Sequence, residues 1–193
     1  DLDTQVPVAT LDEVGQLTAS FNEMVVGLRT KELIKDTFGK YMDPRVVNRL
    51  IENPEFTKPG CERVEMTVLF LDLRGFTSIT EKLSPHELIQ VVNAFFSQMT
   101  EAISANNGVI DKFIGDAVMA YWGPPFTSAE EHGTLACQAA LQALENLGVF
   151  RDQLQQELKF PIQPEDIDLR IGISTGEMIA GSIGSRASKS YTV

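Results

Sequence analysis

The stretch Val109-Ile110-Asp111-Lys112-Phe113-Ile114-Gly115-Asp116-Ala117-Val118-Met119-Ala120-Tyr121-Trp122 holds two apolar runs, Val109 to Ile114 and Ala117 to Trp122, separated only by Gly115-Asp116. Gly-Asp between hydrophobic runs signals a tight β-hairpin, because the backbone twist of such turns matches that of the strands they join. Outward from this hairpin the pattern changes on both sides. Upstream, Ser84-Pro85 is a helix cap followed by a first-turn proline. Leu88, Val92, Phe95, Phe96, Met99 and Ile103 then mark a long amphipathic helix that stops at Asn106-Asn107-Gly108. Before it, Val64 to Leu73 reads as a buried strand running into a turn at Arg74-Gly75. Downstream, Leu135, Ala139, Ala140, Leu144 and Leu147 carry a second helix between Ser128 and Leu158. Asp168 to Ser174 is a further strand, with Ile179 to Ile183 expected to pair beside it and one more strand beginning near Val193. Strand, helix, hairpin, helix, strand is the split βαβ order of the ferredoxin-like plan, an α/β (α+β) fold.

The N-terminal region has a different period. Val14, Leu17, Phe21, Met24 and Leu28 recur at alternating spacings of three and four, the narrow seam of a helical coiled coil. Asp12 and Glu13 stand at the front of this helix, where negative charge suits the helix dipole. The seam fails at Lys31 and resumes on a shifted face with Leu33, Ile34 and Phe38, while Asp43-Pro44 opens a fresh turn or helix. These signals divide the chain into a coiled-coil helix over 1–40, a linker over 41–62 and the α/β domain over 63–193.

The 193 residues carry a formal net charge of −11 and include two cysteines, Cys61 and Cys137. This balance disfavours a protein that coats nucleic acid, but one nucleotide can still be held by local donors and cations. Two cysteines are too few for a disulfide scaffold or a cysteine-ligated zinc site, and they fit a reduced, cytoplasmic setting. No stretch reaches the ~18 to 20 apolar residues of a membrane span, so the chain as given is expected to be soluble.

Asp72 ends an otherwise apolar strand, where a lone ionised carboxylate is costly without a cation or donors. Asp116 sits at the hairpin tip, and adjacent strands could bring the two together, making a divalent-cation site a sensible reading. The spacing equally permits turn roles for both aspartates. Arg74-Gly75-Phe76-Thr77 could offer backbone N–H groups to phosphates or could be an ordinary turn. Alternation puts Lys112 on the same face as Ile110 and Ile114, either partly buried or as a solvated edge lysine. Arg170, Arg186 and Lys189 complete the basic candidates, the last two in a glycine- and serine-rich loop suited to anions. His86 and His132 have no nucleophile at a recognisable spacing.

Phe70-Leu71-Asp72-Leu73-Arg74-Gly75-Phe76-Thr77, Lys112-Phe113-Ile114-Gly115-Asp116-Ala117-Val118-Met119 and Arg170-Ile171-Gly172-Ile173-Ser174-Thr175-Gly176 resemble, in order, the signature blocks of class III nucleotidyl cyclases. Pro7-Val8, Asp12 to Leu17 and Phe21-Asn22-Glu23-Met24 resemble the second half of a HAMP signalling module. The resemblance implies an adenylate cyclase making 3′,5′-cyclic AMP and pyrophosphate from ATP. It assigns two Mg²⁺ or Mn²⁺ ions to Asp72 and Asp116, and triphosphate contact to Leu73, Arg74, Gly75, Phe76 and Thr77. Arg186 matches a phosphate-binding arginine. Lys112 and Thr192 match the two base-selecting positions; many relatives carry aspartate at the second. A homodimer through the catalytic domain and the N-terminal helix would build the site from two copies, with membrane contact only through segments upstream. The family also places an asparagine and an arginine beyond Val193, so the chain reads as a truncated cyclase. The alternatives are a catalytically silent dimerisation or relay module, a guanylate cyclase, and a palm-type polymerase or diguanylate cyclase; the last would show a Gly-Gly-Asp/Glu-Glu-Phe hairpin, which is absent here.

Overall fold

β1 (Cys61–Arg74) is the strand on which the α/β unit is assembled. In the computed structural model, which describes residues 4–53, 61–76, 81, 83–157, 167–185 and 189–193, it runs at the centre of a five-stranded antiparallel sheet. The other strands are β2 (Val109–Ile114), β3 (Ala117–Trp122), β4 (Asp168–Gly184) and β5 (Lys189–Thr192), in the order β2-β3-β1-β4-β5. With α3 (Pro85–Ala105) and α4 (His132–Glu157) as the crossovers, this is the expected α+β plan.

Alternation along β1 sends Leu69, Leu71 and Leu73 to one face and Phe70, Asp72 and Arg74 to the other. Pairing aligns Leu69 with Ala120 and Leu71 with Val118, so β3 contributes to the same buried face. Val91, Phe95, Met99 and Ile103 of α3, and Leu147, Phe150 and Leu154 of α4, close over it. A stripe of Ala136, Ala139, Ala140 and Ala143 lets α4 approach closely, and the Phe95 and Phe150 rings meet at 5.5 Å. Each fully buried Leu or Phe contributes about 1.5–3 kcal/mol of apolar transfer. Trp122 is wholly buried and donates from Nε1 to the Asn106 carbonyl at 2.7 Å. Buried Thr67 bonds both His132 Nδ1 and Thr175 Oγ1, each at 2.7 Å, so this core polar group is satisfied. α3 starts with a reciprocal capping box between Ser84 and Glu87.

Two sequence expectations are corrected. Ile179–Ile183 does not form a strand beside Asp168–Ser174; β4 is one continuous strand of 17 residues whose end pairs with β5. And β2 does not alternate regularly. Ile110 opposes Ala120 while Lys112 opposes Met119, so Asp111 is an extra residue, a β-bulge. Ala120 and Met119 point to opposite faces, and so do Ile110 and Lys112; Lys112 still shares a face with Ile114, which opposes Ala117.

The chain divides into two compact units with the break between Glu52 and Asn53. The first contains α1 (Glu13–Gly39), unbroken at Lys31, and α2 (Pro44–Glu52). Asp12 caps α1 by accepting from the backbone N–H groups of Val14 and Gly15, and the Asn22 side chain clamps both the N–H and the carbonyl of Val6. Val14, Leu17, Phe21, Met24 and Leu28 are all exposed. Among the described residues no helix is long and apolar enough to cross a membrane.

Candidate active site

The sheet face turned away from α3 and α4 carries the charged side chains. Asp72 lies opposite Ala117 of β3 and opposite Arg170 of β4. Ala117 follows Asp116 directly, so the hairpin turn brings Asp116 to the end of β1. Gly115 makes this turn possible with a φ of +64°, a conformation that suits the first position of a two-residue hairpin loop. Burial raises the Asp116 pKa above the ordinary aspartate value. The negative charge of Asp72 and a side-chain hydrogen bond with it act in the same direction, while Arg170 opposes them. The Arg170 guanidinium stands 3.8 Å from Asp72 Oδ2, an ion pair between partly exposed groups.

A like-charged pair of hard oxygen donors that resists full ionisation suits Mg²⁺ or Mn²⁺, which would restore both carboxylates to their charged form. No group of three or more His, Cys, Asp or Glu side chains that could hold a metal occurs among the described residues, so Asp72 and Asp116 are a two-residue donor set.

β1 ends in a turn at Gly75, whose φ of +86° directs the chain away from the strand. The Leu73 side chain belongs to the core and Phe76 packs against that core, whereas Arg74 is exposed. Any contact of Leu73 or Phe76 with a phosphate would therefore come from the backbone. Thr77 and Arg186 lie outside the described residues.

A second cluster sits on β2 and β5, although these strands occupy opposite edges of the sheet. Lys112 Nζ donates to Thr192 Oγ1 at 3.1 Å and pairs with Asp111 Oδ2 at 3.1 Å, while Thr192 Oγ1 donates to Asp111 Oδ2 at 2.8 Å. Side chains from the two edge strands are in hydrogen-bond contact here. Lys112 and Thr192 are thus brought together, and sequence reading missed the residue that joins them. Asp111 is only 1% exposed at its side chain. Two adjacent charged residues, Asp111 and Lys112, inside a strand of apolar residues are the available signal, but regular alternation hides the bulge. Arg170 was named as a basic candidate without a partner, because its partner is fixed by non-local register.

Residues 61–193 match the family described as the adenylate and guanylate cyclase catalytic domain, and residues 1–30 match the HAMP domain. The chain belongs to the adenylate and guanylate cyclase family. Adenylate cyclase 1 of Rhizobium meliloti (strain 1021) is 31% identical over 192 residues, covering 100% of this chain and 27% of the relative. An uncharacterized protein of Mycobacterium tuberculosis (strain ATCC 25618 / H37Rv) is 31% identical over 193 residues, covering 100% of this chain and 33% of the relative. The chain therefore spans about a third or less of these relatives. Among solved structures, the adenylyl cyclase CyaB from P. aeruginosa has a TM-score of 0.62 at 31% identity over 69% of this chain and 66% of that one. The guanylyl cyclase Cya2 gives 0.62 at 34% identity over 69% and 64%. A bacterial light-regulated adenylyl cyclase gives 0.69 at 28% identity over 95% and 49%. Class III cyclase membership is thus settled for this chain, and its relatives include both adenylyl and guanylyl cyclases.

Proposed function

We propose that the chain is the signalling-helix and catalytic portion of an adenylate cyclase, with a domain boundary near residues 41–62 and the catalytic part on the cytoplasmic side of a larger protein. The observation that carries the choice of ATP is the convergence of Lys112 and Thr192, 3.1 Å apart from strands on opposite sheet edges. An ammonium hydrogen can donate to N1 of adenine, whereas the same edge of guanine bears an N–H that an ammonium cannot satisfy.

Asp72 and Asp116 would hold the divalent cations, which would offset the negative charge of the triphosphate and assist attack of the ribose 3′-oxygen at the α-phosphate. The chain's own residues bind and orient. The turn after Arg74 offers backbone N–H groups to the phosphates, and Arg186 is proposed to add a guanidinium. Arg170 pairs with Asp72 across the β1–β4 register. Lys112 and Thr192 fix the base.

The Asp72–Asp116 pair and the Lys112–Thr192 pair form two clusters that share no residue. A second copy, related by two-fold symmetry, would set one chain's carboxylates against the other's base-reading pair. The uncovered sheet face supports this, since Phe70 is 46% and Ile114 50% exposed beside the carboxylates. The test is made in the full-length protein. Asp72→Ala should lower Mg²⁺- or Mn²⁺-dependent cyclic AMP formation by about a thousandfold, on the scale of the charge stabilisation such sites supply. Lys112→Glu should reduce the ATP over GTP ratio of kcat/KM. Undiminished cyclic AMP production, or a wild-type protein that prefers GTP, rejects the reading.

A further inference from the structure

Thr192 presents a difficulty for base selection, since a hydroxyl can donate or accept and so does not by itself distinguish adenine from guanine. Asp111 resolves it. We propose that Asp111 is a positioning residue that fixes the polarity of the Thr192 hydroxyl, turning it into an acceptor for the exocyclic amine of adenine. This inference rests on the adenine reading of the same site.

A threonine hydroxyl has one hydrogen and two lone pairs. Its hydrogen is directed to Asp111 Oδ2 at 2.8 Å, closer and charged where the Val193 carbonyl stands at 3.4 Å, and one lone pair receives Lys112 Nζ at 3.1 Å. What is left for a ligand is a single lone pair. The same Asp111 oxygen accepts one Lys112 hydrogen at 3.1 Å, which leaves the ammonium a further hydrogen to offer. The cluster therefore presents one acceptor and one donor side by side. Adenine has the complementary edge, with the 6-amino group as donor and N1 as acceptor. Guanine in the same pose sets its O6 against the Thr192 acceptor and its N1–H against the Lys112 ammonium.

The placement of Asp111 has no evident structural benefit. It occupies the bulge position of β2, its side chain is 1% exposed, and its second oxygen, Oδ1, is buried without a hydrogen-bond partner among the described residues. A half-satisfied buried carboxylate lowers stability, and local departures of this kind are expected where function demands them. The bulge turns Lys112 onto its face while leaving Asp111 against both Lys112 and Thr192, an arrangement a regular strand does not allow.

The experiment measures kcat/KM for ATP and for GTP in the full-length protein. Asp111→Ala frees the Thr192 hydrogen to donate to O6, and the ATP over GTP ratio should fall at least tenfold, mainly through loss with ATP. Asp111→Asn keeps a carbonyl acceptor in the same place and should stay within threefold of wild type. Thr192→Val, which removes the hydroxyl and leaves Lys112 as the donor to the Asp111 carboxylate, should lose the same tenfold, and together with Asp111→Asn it keeps the inference falsifiable if Asp111→Ala fails to fold. A purely structural role lowers both substrates by the same factor, and that result, an unchanged ratio in Thr192→Val, or equal loss in Asp111→Asn and Asp111→Ala, overturns the inference. If Lys112→Glu abolishes an ATP preference that Asp111→Ala and Thr192→Val leave intact, only this inference falls. A wild-type protein without ATP preference removes the adenine reading as well.

Discussion

Replacing Asp116 with Asn should stabilise the metal-free protein at neutral pH while abolishing its response to Mg²⁺ or Mn²⁺. The folded chain holds the Asp116 proton more tightly than the unfolded chain does, because burial and Asp72 raise its pKa. Stability from this group is present below the ordinary aspartate pKa and is lost as pH climbs through the raised one. Urea denaturation across pH should show that loss in the wild type, and Asp116→Asn should flatten it. Cation binding should offset the same loss, so added Mg²⁺ raises the wild-type midpoint and leaves the variant unmoved. On the opposite face of β1, Leu71 is fully buried in the core. Leu71→Ala should cost about 2–5 kcal/mol, read by the same denaturation, through lost transfer energy and the cavity left behind.

The elements differ in how far their causes are local. α3 is capped at Ser84 by its own Glu87, and Ser84→Ala should cost about 0.5–2 kcal/mol of stability in thermal or urea unfolding. Such local causes made α3, α4 and the β2–β3 hairpin readable from spacing, capping residues and Gly115-Asp116. β4 was read short, because Gly172, Gly176 and Gly181 interrupt its apolar pattern and only the long register against β1 carries the strand through them. The candidate site divides in the same way. Asp72 stood out as a charge in an apolar run, and Asp116 as the residue in a two-residue turn. The Arg170–Asp72 pair and the meeting of Lys112 with Thr192 depend on strands far apart in sequence, which no local pattern encodes. The bulge at Asp111 was hidden for a related reason, since alternation assumes a register that only β3 can reveal.

At the scale of the molecule, two apolar surfaces are exposed. The seam of Val14, Leu17, Phe21, Met24 and Leu28 on α1 is exposed throughout, as is Phe70 on the uncovered sheet face. If both belong to a dimer, Leu17→Glu combined with Phe21→Glu should shift the full-length protein toward monomer in sedimentation velocity. Specific activity should then become steeply dependent on protein concentration, since each site would be built from two copies. The extra residue in β2 has a consequence for how such a chain can vary over time. Removing one residue between Val109 and Gly115 would restore regular pleating and exchange the inward and outward sides on one flank of the deletion, displacing Lys112 from Thr192 or Ile110 from the core. Substitutions in this segment are graded in effect, but a single-codon gain or loss would be all or nothing, so the length of this short strand should drift far less than its composition.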